Sequence, residues 1–157
     1  MEDKRITKTK RALKSALLEL LTTQAFDVIS ITELCKIANV SRITFYTHYK
    51  DKFALLDDIF NDMLIIGKEG YHRRQEENNP ENNLTQGYLN VLDSILSLYY
   101  ERYDFFQHVV PETNPYLAFR FYRILLDTVE SHTDKLKASY SLKYSARQIA
   151  GFICFGL

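Results

Sequence analysis

Apolar residues recur along the chain at the three- and four-residue intervals typical of helices, and strand-like alternation is nearly absent. The first stripe predicts an amphipathic helix that starts near Thr7 or Thr9 and buries Leu13, Ala16, Leu17, Leu20 and Leu21. A second stripe follows Asp51 and consists of Phe53, Leu56, Phe60, Met63, Leu64 and Gly67. A third follows a polar segment and consists of Leu84, Tyr88, Val91, Leu92, Ile95, Leu96 and Tyr99. The chain is therefore predicted to be all-α.

Three polar segments, at 76–83, 110–115 and 131–141, are predicted to be loops between helices. Between the last two, the charges are confined to one narrow stripe, which predicts a helix at the centre of its domain: Arg120, Arg123, Asp127 and Glu130. The segment 146–157 is apolar after Arg147. We expect it to be a helix that is either cut short or buried against another surface.

Residues 29–53 carry the most specific local signals. Ser30 and Glu33 have the spacing of a capping box, with Ile29 and Leu34 as a hydrophobic staple, so a short helix is predicted from Ile31. Its buried face should comprise Ile31, Leu34, Cys35 and Ala38. Asn39 follows as a residue that tolerates the left-handed conformation, and Ser41 is placed to cap the next helix. Two short helices joined by so tight a turn form a helix-turn-helix.

The second of these helices is predicted to bury Phe45 and Tyr49, four residues apart. That leaves an outward face of Ile43, Thr44, Tyr46, Thr47 and Lys50, flanked by Arg42 and His48. Such a face suits a DNA groove, because a guanidinium can bind guanine, methyl groups can contact thymine and a tyrosine hydroxyl can reach a phosphate. The next helix, capped by Asp51, offers its first amides and Lys52 to a phosphate. The alternative is an ordinary packed corner that happens to expose an isoleucine and a tyrosine.

The distribution of charge favours the DNA-binding interpretation. The net charge is zero overall, but residues 1–52 carry ten basic and six acidic residues, whereas the remainder carries ten and fourteen. A net charge of +4 on the first part and −4 on the second is what a protein that meets a polyanion with one end would show.

The segment from Ser30 to Leu56, SITELCKIANVSRITFYTHYKDKFALL, resembles the DNA-binding signature of the TetR/AcrR family of transcriptional regulators. The resemblance covers about 50 N-terminal residues and departs from the family at two places, Asn39 for a turn glycine and Tyr49 for a phenylalanine. It implies a homodimer whose C-terminal domain binds an effector and dimerises through its last two helices. The DNA-binding residues predicted from the face and the resemblance together are Thr32, Arg42, Ile43, Thr44, Tyr46, Thr47, His48 and Lys52.

The expected layout is a helix-turn-helix domain over residues 1–52, joined by a linking helix to a ligand-binding and dimerisation domain over 53–157 that is truncated at its C-terminal end. The expected function is a dimeric repressor that a small-molecule effector releases from double-stranded operator DNA. The alternative keeps the DNA binding and replaces the small molecule with a protein partner docked on the C-terminal domain.

Aromatic residues are dense in the second half, and the candidates for lining a ligand pocket are Tyr99, Tyr103, Phe106, His108, Phe119 and Tyr122. The alternative is that they fill the core of a helical bundle. Two cysteines, expected to be core residues, and four dispersed histidines predict no metal site and no cofactor. No catalytic motif appears, so an enzyme is not expected. Without an apolar membrane-spanning stretch or a secretory signal, the chain is expected to be cytoplasmic.

Overall fold

A computed structural model describes residues 4–137, 143–145, 147–148 and 151–152. The defined helices are α1 (Lys4–Leu21), α2 (Ile31–Ala38), α3 (Arg42–His48), α4 (Lys52–Asn78), α5 (Leu84–Glu101), α6 (Tyr103–Phe106) and α7 (Pro115–Lys137), with a 3-10 turn at Phe26–Val28. The all-α prediction is confirmed for these residues, which contain no strand. The chain divides into two compact units, Met1–His108 and Val109–Leu157. The predicted boundary after residue 52 lies inside the first unit, at the first residue of α4.

The N-terminal helices pack around a small apolar core, here called the head, which comprises α1, the 3-10 turn, α2 and α3. Its fully buried side chains come from every one of these elements and include Leu13, Leu17, Phe26, Leu34 and Phe45. The predicted start of α1 is wrong, because the helix is already formed at Lys4. Thr9 does not cap it but donates its hydroxyl to the Arg5 carbonyl, one turn earlier in the same helix.

Helix α4 is longer than the sequence indicates and continues from the head into the rest of the first unit. Of its predicted stripe, Leu56, Phe60 and Met63 are buried, whereas Phe53 is exposed. Leu55 and Ile59, which the prediction omitted, are buried instead. The helix also runs through the first part of the predicted loop, so the connection to α5 is only 79–83.

The stripe predicted for α5 is partly wrong: Val91 is buried and Leu84, Tyr88, Leu92 and Ile95 are half-buried, but Leu96 and Tyr99 are exposed. The other residues that α5 buries are small or polar, namely Gly87, Asn90 and Ser94. More than a third of each of three side chains is exposed: Leu96 and Tyr99, which belong to the predicted stripe, and Leu89, which does not. Part of the contact between α4 and α5 is made by hydrogen bonds between polar side chains, which is why α5 buries polar residues.

Asn90 of α5 is the centre of this polar contact and is 0% exposed. Its amide nitrogen donates to Gln75 Oε1 at 2.6 Å and to Asn78 Oδ1 at 2.8 Å, and its oxygen accepts from Gln86 Nε2 at 3.1 Å. Further along the pair, Arg74 Nη2 donates to a serine hydroxyl of α5 at 2.7 Å. A buried network of this kind fixes one alignment of two helices, because any slip leaves buried polar groups unsatisfied.

The remaining elements are shorter or belong to the second unit. Phe105 of α6 is fully buried, and its ring meets the Phe60 ring edge to face with centroids 5.3 Å apart. In the second unit α7 buries Leu117, Leu125, Leu126 and Val129. It continues through Lys137, so the predicted loop at 131–141 is helical in its first part. Most of the apolar segment 146–157, including Cys154, lies outside the described residues.

The buried network generates a stability prediction. Asn90→Ala should lower the free energy of unfolding by about 1–3 kcal/mol, because the variant leaves the Gln75, Asn78 and Gln86 side chains without their shared partner. Asn61→Ala, at an exposed position of α4, is the control and should change it by less than about 0.5 kcal/mol. Chemical denaturation measures both, and equal effects of the two substitutions would contradict the network's role.

Candidate nucleic-acid interface

Helix α2 begins with the predicted capping box. Ser30 Oγ accepts from the Glu33 N–H at 3.2 Å, and Glu33 Oε2 accepts from the Ser30 N–H at 2.9 Å. The hydrogen bonds from the Ser30 side chain and backbone, followed by one from Gln24, lower the pKa of the Glu33 carboxyl. Because the carboxylate form makes these bonds, the start of α2 is held in place at neutral pH.

The turn between α2 and α3 is also as predicted. Asn39 has φ 53° and ψ 47°, which is the left-handed conformation, and its N–H donates to the carbonyls of Cys35 and Lys36. Ser41 then caps α3 by accepting from the Thr44 N–H at 3.0 Å. The two helices are thus joined by a turn whose conformation and caps are set by residues inside the turn itself.

Helix α3 has one buried and one exposed side, as its sequence predicts. Phe45 is 0% exposed and Tyr49, at the C-cap, is 5% exposed, whereas Ile43 is 82% and Tyr46 49% exposed. Arg42 is exposed as well. Other members of the predicted DNA-binding set surround these residues: Thr32 and Thr47 are exposed, and Thr44 and His48 are half-buried. The Thr47 hydroxyl donates to the Ile43 carbonyl at 2.9 Å, so its methyl group and oxygen lone pairs remain for a partner.

Lys52 is placed differently from the expectation that it binds a phosphate. Its ammonium donates to three backbone carbonyls in and after the 3-10 turn, those of Phe26 at 2.9 Å, Asp27 at 2.7 Å and Ile29 at 2.8 Å. It also lies 4.9 Å from the centre of the Phe26 ring. Burial lowers the pKa of Lys52, and the charges of Asp27 and Glu33 oppose that shift. All three N–H donors of the ammonium are therefore engaged inside the protein.

A second polar contact joins the end of α3 to α1 and α4. The Tyr49 hydroxyl donates to Asp58 Oδ2 at 2.6 Å, and the Lys14 ammonium lies 3.1 Å from the same oxygen. Burial alone would raise the pKa of Asp58, but the hydrogen bond from Tyr49 and the charge of Lys14 outweigh it, so the pKa is lowered. The hydroxyl that distinguishes Tyr49 from phenylalanine thus fixes the C-terminal end of α3 to α4.

Sequence reasoning missed Lys14 and Asp58 as residues that shape this site, and it assigned Lys52 a different partner. Lys14 and Asp58 are 44 positions apart in the sequence. Lys52 is 23 to 26 positions away from the residues whose carbonyls it binds. Nothing at helical spacing indicates these contacts. In the sequence, the only indication of these contacts is Tyr49, whose hydroxyl lies at the edge of the predicted core and needs a hydrogen-bond partner.

The outer face of α3 has the chemistry of a groove reader. A guanidinium, an aliphatic side chain and a phenol stand side by side on the exposed half of a helix whose other half is fixed by Phe45 and Tyr49. These groups can bind a guanine edge, a thymine methyl and a phosphate respectively. Within the part of the chain that the structure describes, no group of three or more histidine, cysteine or acidic side chains could hold a metal ion.

The structure brings together three of the six pocket candidates. The Tyr99 ring stacks on Phe106 with centroids 5.6 Å apart and meets Tyr103 at 5.9 Å. His108 follows in the same unit; burial lowers the pKa of its imidazole while Asp104 opposes the shift. The other two candidates belong to α7 in the second unit, where Phe119 is exposed and Tyr122 half-buried.

Cys35 is buried in the head, as expected of a core cysteine, and burial raises the pKa of its thiol.

The left-handed turn generates the second prediction. Asn39→Gly should leave the free energy of unfolding unchanged or slightly raised, whereas Asn39→Val should lower it by about 1–2 kcal/mol, since a β-branched residue is strained at φ 53°. Thermal unfolding of the two variants measures the difference. Equal midpoints would mean that the turn does not depend on this conformation.

The hydrogen bonds of Lys52 generate the third prediction. Lys52→Met should lower the free energy of unfolding by about 1–3 kcal/mol, because the methionine keeps most of the apolar stem but removes the ammonium from three carbonyls, of which that of Phe26 retains the Ile29 N–H at 3.2 Å. Lys50→Met is the matched control at an exposed position two residues earlier and should have little effect. If denaturation finds both variants as stable as the parent, Lys52 does not hold the head to α4.

Comparison with known proteins finds a regulator that is similar to part of this chain. The chain is 40% identical over 58 residues to an uncharacterised HTH-type transcriptional regulator, YxbF, of Bacillus subtilis strain 168. The match covers 37% of this chain and 14% of that protein, so the matched region spans about one-seventh of the relative's length. No protein-family model matches the chain. In the part of the chain that the structure describes, no helix is both long and apolar enough to cross a membrane.

Proposed function

We propose that this chain is a DNA-binding transcriptional regulator of the TetR/AcrR type, which reads an operator with α3. The observation that carries the proposal is the exposed face of Arg42, Ile43 and Tyr46 on a helix whose opposite side is locked into the head. The helix-turn-helix similarity of the Bacillus subtilis regulator supports it. A solvated helix gains nothing from an isoleucine that is 82% exposed, whereas a thymine methyl group would cover that side chain.

The proposed roles follow from exposure and chemistry. Arg42 binds a base edge in the major groove, Ile43 and Thr47 contact thymine methyl groups, and Tyr46 binds a phosphate. Thr32, at the first turn of α2, and His48 are proposed as flanking backbone contacts. Thr44 shares its hydroxyl with Ser41 at 2.8 Å and is proposed to contact DNA through its methyl group. Lys52 is proposed to act from inside the protein, by holding the head against α4.

The regulator is proposed to act as a homodimer in the cytoplasm. One head contacts too few bases to specify a site, and helix-turn-helix proteins solve this by pairing two heads on half-sites about 34–36 Å apart. A dimer whose heads occupy an operator blocks access to that DNA, which makes repression the proposed outcome. The two-fold axis would then set the distance between the two Arg42 side chains.

A small-molecule effector is proposed to control binding. The supporting observation is the ring cluster of Tyr99, Tyr103 and Phe106, followed by His108, whose Nε2 is buried without a hydrogen-bond partner among the described residues. Aromatic rings with one or two unsatisfied polar atoms are typical of ligand sites. A protein effector is the second candidate, favoured by the exposed side chains of Leu89, Leu96 and Tyr100 on α5.

The proposal predicts that a preferred DNA site exists and that its recognition depends on Arg42. Selection from a random-sequence duplex library should enrich one motif. Arg42→Ala should then weaken binding to that motif by about 1–3 kcal/mol and relax the preference at one position, while binding to unrelated duplexes changes little. Fluorescence anisotropy at fixed salt measures both affinities.

The matched control is Lys68→Ala, which removes one exposed positive charge from α4 and should leave motif binding unchanged. Failure to enrich any motif, together with no salt-dependent binding, would overturn the proposed function. If a motif is enriched but the Arg42→Ala variant binds it as tightly as the parent does, the protein binds DNA through a surface other than Arg42 on α3.

A further inference from the structure

The guanidinium group of Arg74 lies between α4 and α5, next to the hydrogen bonds of Asn90. Its Nη2 donates to the Ser97 hydroxyl at 2.7 Å, and its Nη1 donates to the Gly70 carbonyl at 3.2 Å and to the Ser94 hydroxyl at 3.5 Å. Gly70 leaves room for this group, because a Cβ atom at that position would lie 3.3 Å from Nη1. The guanidinium is thus held between the backbone of α4 and two hydroxyl groups of α5.

The positive charge of Arg74 is not paired with a carboxylate of the described residues. Its acceptors are a carbonyl and two hydroxyls, which are all neutral. Lys14, which is also half-buried, instead lies within 3.1 Å of the carboxylates of Asp58 and Asp62. A partly buried charge is unfavourable without an opposite charge, and the neutral amide of Asn90 joins the same two helices without one. The contact between the helices therefore does not account for the charge of Arg74.

Several hydrogen-bond donors remain available at this place. A guanidinium group carries five N–H donors, and the three hydrogen bonds of Arg74 leave at least two of them. The Ser97 hydroxyl accepts from Arg74 but donates to no acceptor that the structure describes, whereas the Ser94 hydroxyl donates to the Asn90 carbonyl at 2.7 Å. Arg74 and Ser97 are both half-buried, so a small solute can approach them. Two N–H donors and one O–H donor thus lie beside a single positive charge.

A carboxylate is the anion that fits this arrangement. Its two oxygens can accept in one plane from two N–H groups of a guanidinium, and a remaining lone pair can accept from the neighbouring Ser97 hydroxyl. Its single negative charge equals the single positive charge of Arg74. The part of the chain after residue 52 carries ten basic and fourteen acidic residues, so an anion with more than one negative charge is disfavoured there.

We infer that Arg74 and Ser97 form a binding site for the carboxylate group of a small organic acid. The ligand would supply the counterion of Arg74 and an acceptor for the Ser97 hydroxyl at once. This site is separate from the ring cluster of Tyr99, Tyr103 and Phe106, because Ser97 and Tyr99 are two positions apart on α5 and point about 160° away from each other. The inference therefore goes beyond the proposed function and does not depend on it.

The test is a titration of 15N-labelled full-length protein with benzoate, followed through the arginine Nε–H signals and the backbone amides of Ser94 and Ser97. Benzoate should shift the Arg74 signal to saturation, with a dissociation constant on the order of 10 mM for so small a ligand. Benzamide, which has nearly the same shape but no charge, should give no saturable shift. Arg74→Gln should abolish the saturable shift of the amides, and Ser97→Ala should weaken binding about 3- to 10-fold, because one donor is lost.

The matched control is Arg73→Gln, which removes the neighbouring exposed charge and should leave the affinity for benzoate unchanged. All titrations are made at equal ionic strength with sodium chloride. Equal affinities of the parent and Arg74→Gln, or no saturable shift in the parent, would overturn the inference. If Arg74→Gln does not fold, Ser97→Ala decides, since an unchanged affinity contradicts the site. Inorganic phosphate that binds more tightly than benzoate would contradict the carboxylate class.

Discussion

The three hydrogen bonds from the Lys52 ammonium to the carbonyls of Phe26, Asp27 and Ile29 are the constraint on which the arrangement of the head depends. They attach the first residue of α4 to the segment that leads from α1 into α2. A partly desolvated ammonium requires every donor to be satisfied, so the position of α4 relative to that segment is narrowly defined. Tyr49, Asp58 and Lys14 add a second attachment at Asp58, six residues further along α4. The head that exposes the outward face of α3 is therefore fixed to the long helix α4. If α4 moves, the head moves with it.

The far end of α4 uses the same kind of attachment. Its contact with α5 is centred on Asn90, Gln75 and Asn78, while leucine and tyrosine side chains of α5 face outward. Polar networks define alignment more strictly than apolar surfaces, because a misaligned polar group is left unsatisfied whereas a misaligned apolar one only repacks. Helix α4 thus carries a hydrogen-bonded junction at each end.

The features of the head that the sequence predicts correctly are local ones. The capping box at Ser30, the left-handed Asn39 and the cap at Ser41 each depend on residues within four positions, so their spacing is sufficient to identify them. The buried pair on α3 follows from the helical period alone. The errors concern contacts between distant segments. On α5 the apolar stripe did not indicate that Asn90 and Ser94 would be buried, because their partners are amide and guanidinium groups of α4 that lie 12 to 20 positions away. Lys52 shows the same limit, because a lysine near a helix N-terminus has no local signal that distinguishes a carbonyl from a phosphate as its partner.

The central claim is that the outward face of α3 meets DNA. Titration of uniformly 15N-labelled protein with a short duplex, followed through backbone amide chemical shifts, tests it most directly. The account predicts that the largest shift changes fall on Arg42 to Thr47, while the amides of α5 around Asn90 change little. Changes that are largest on α5, with α3 unaffected at saturating duplex, would contradict it.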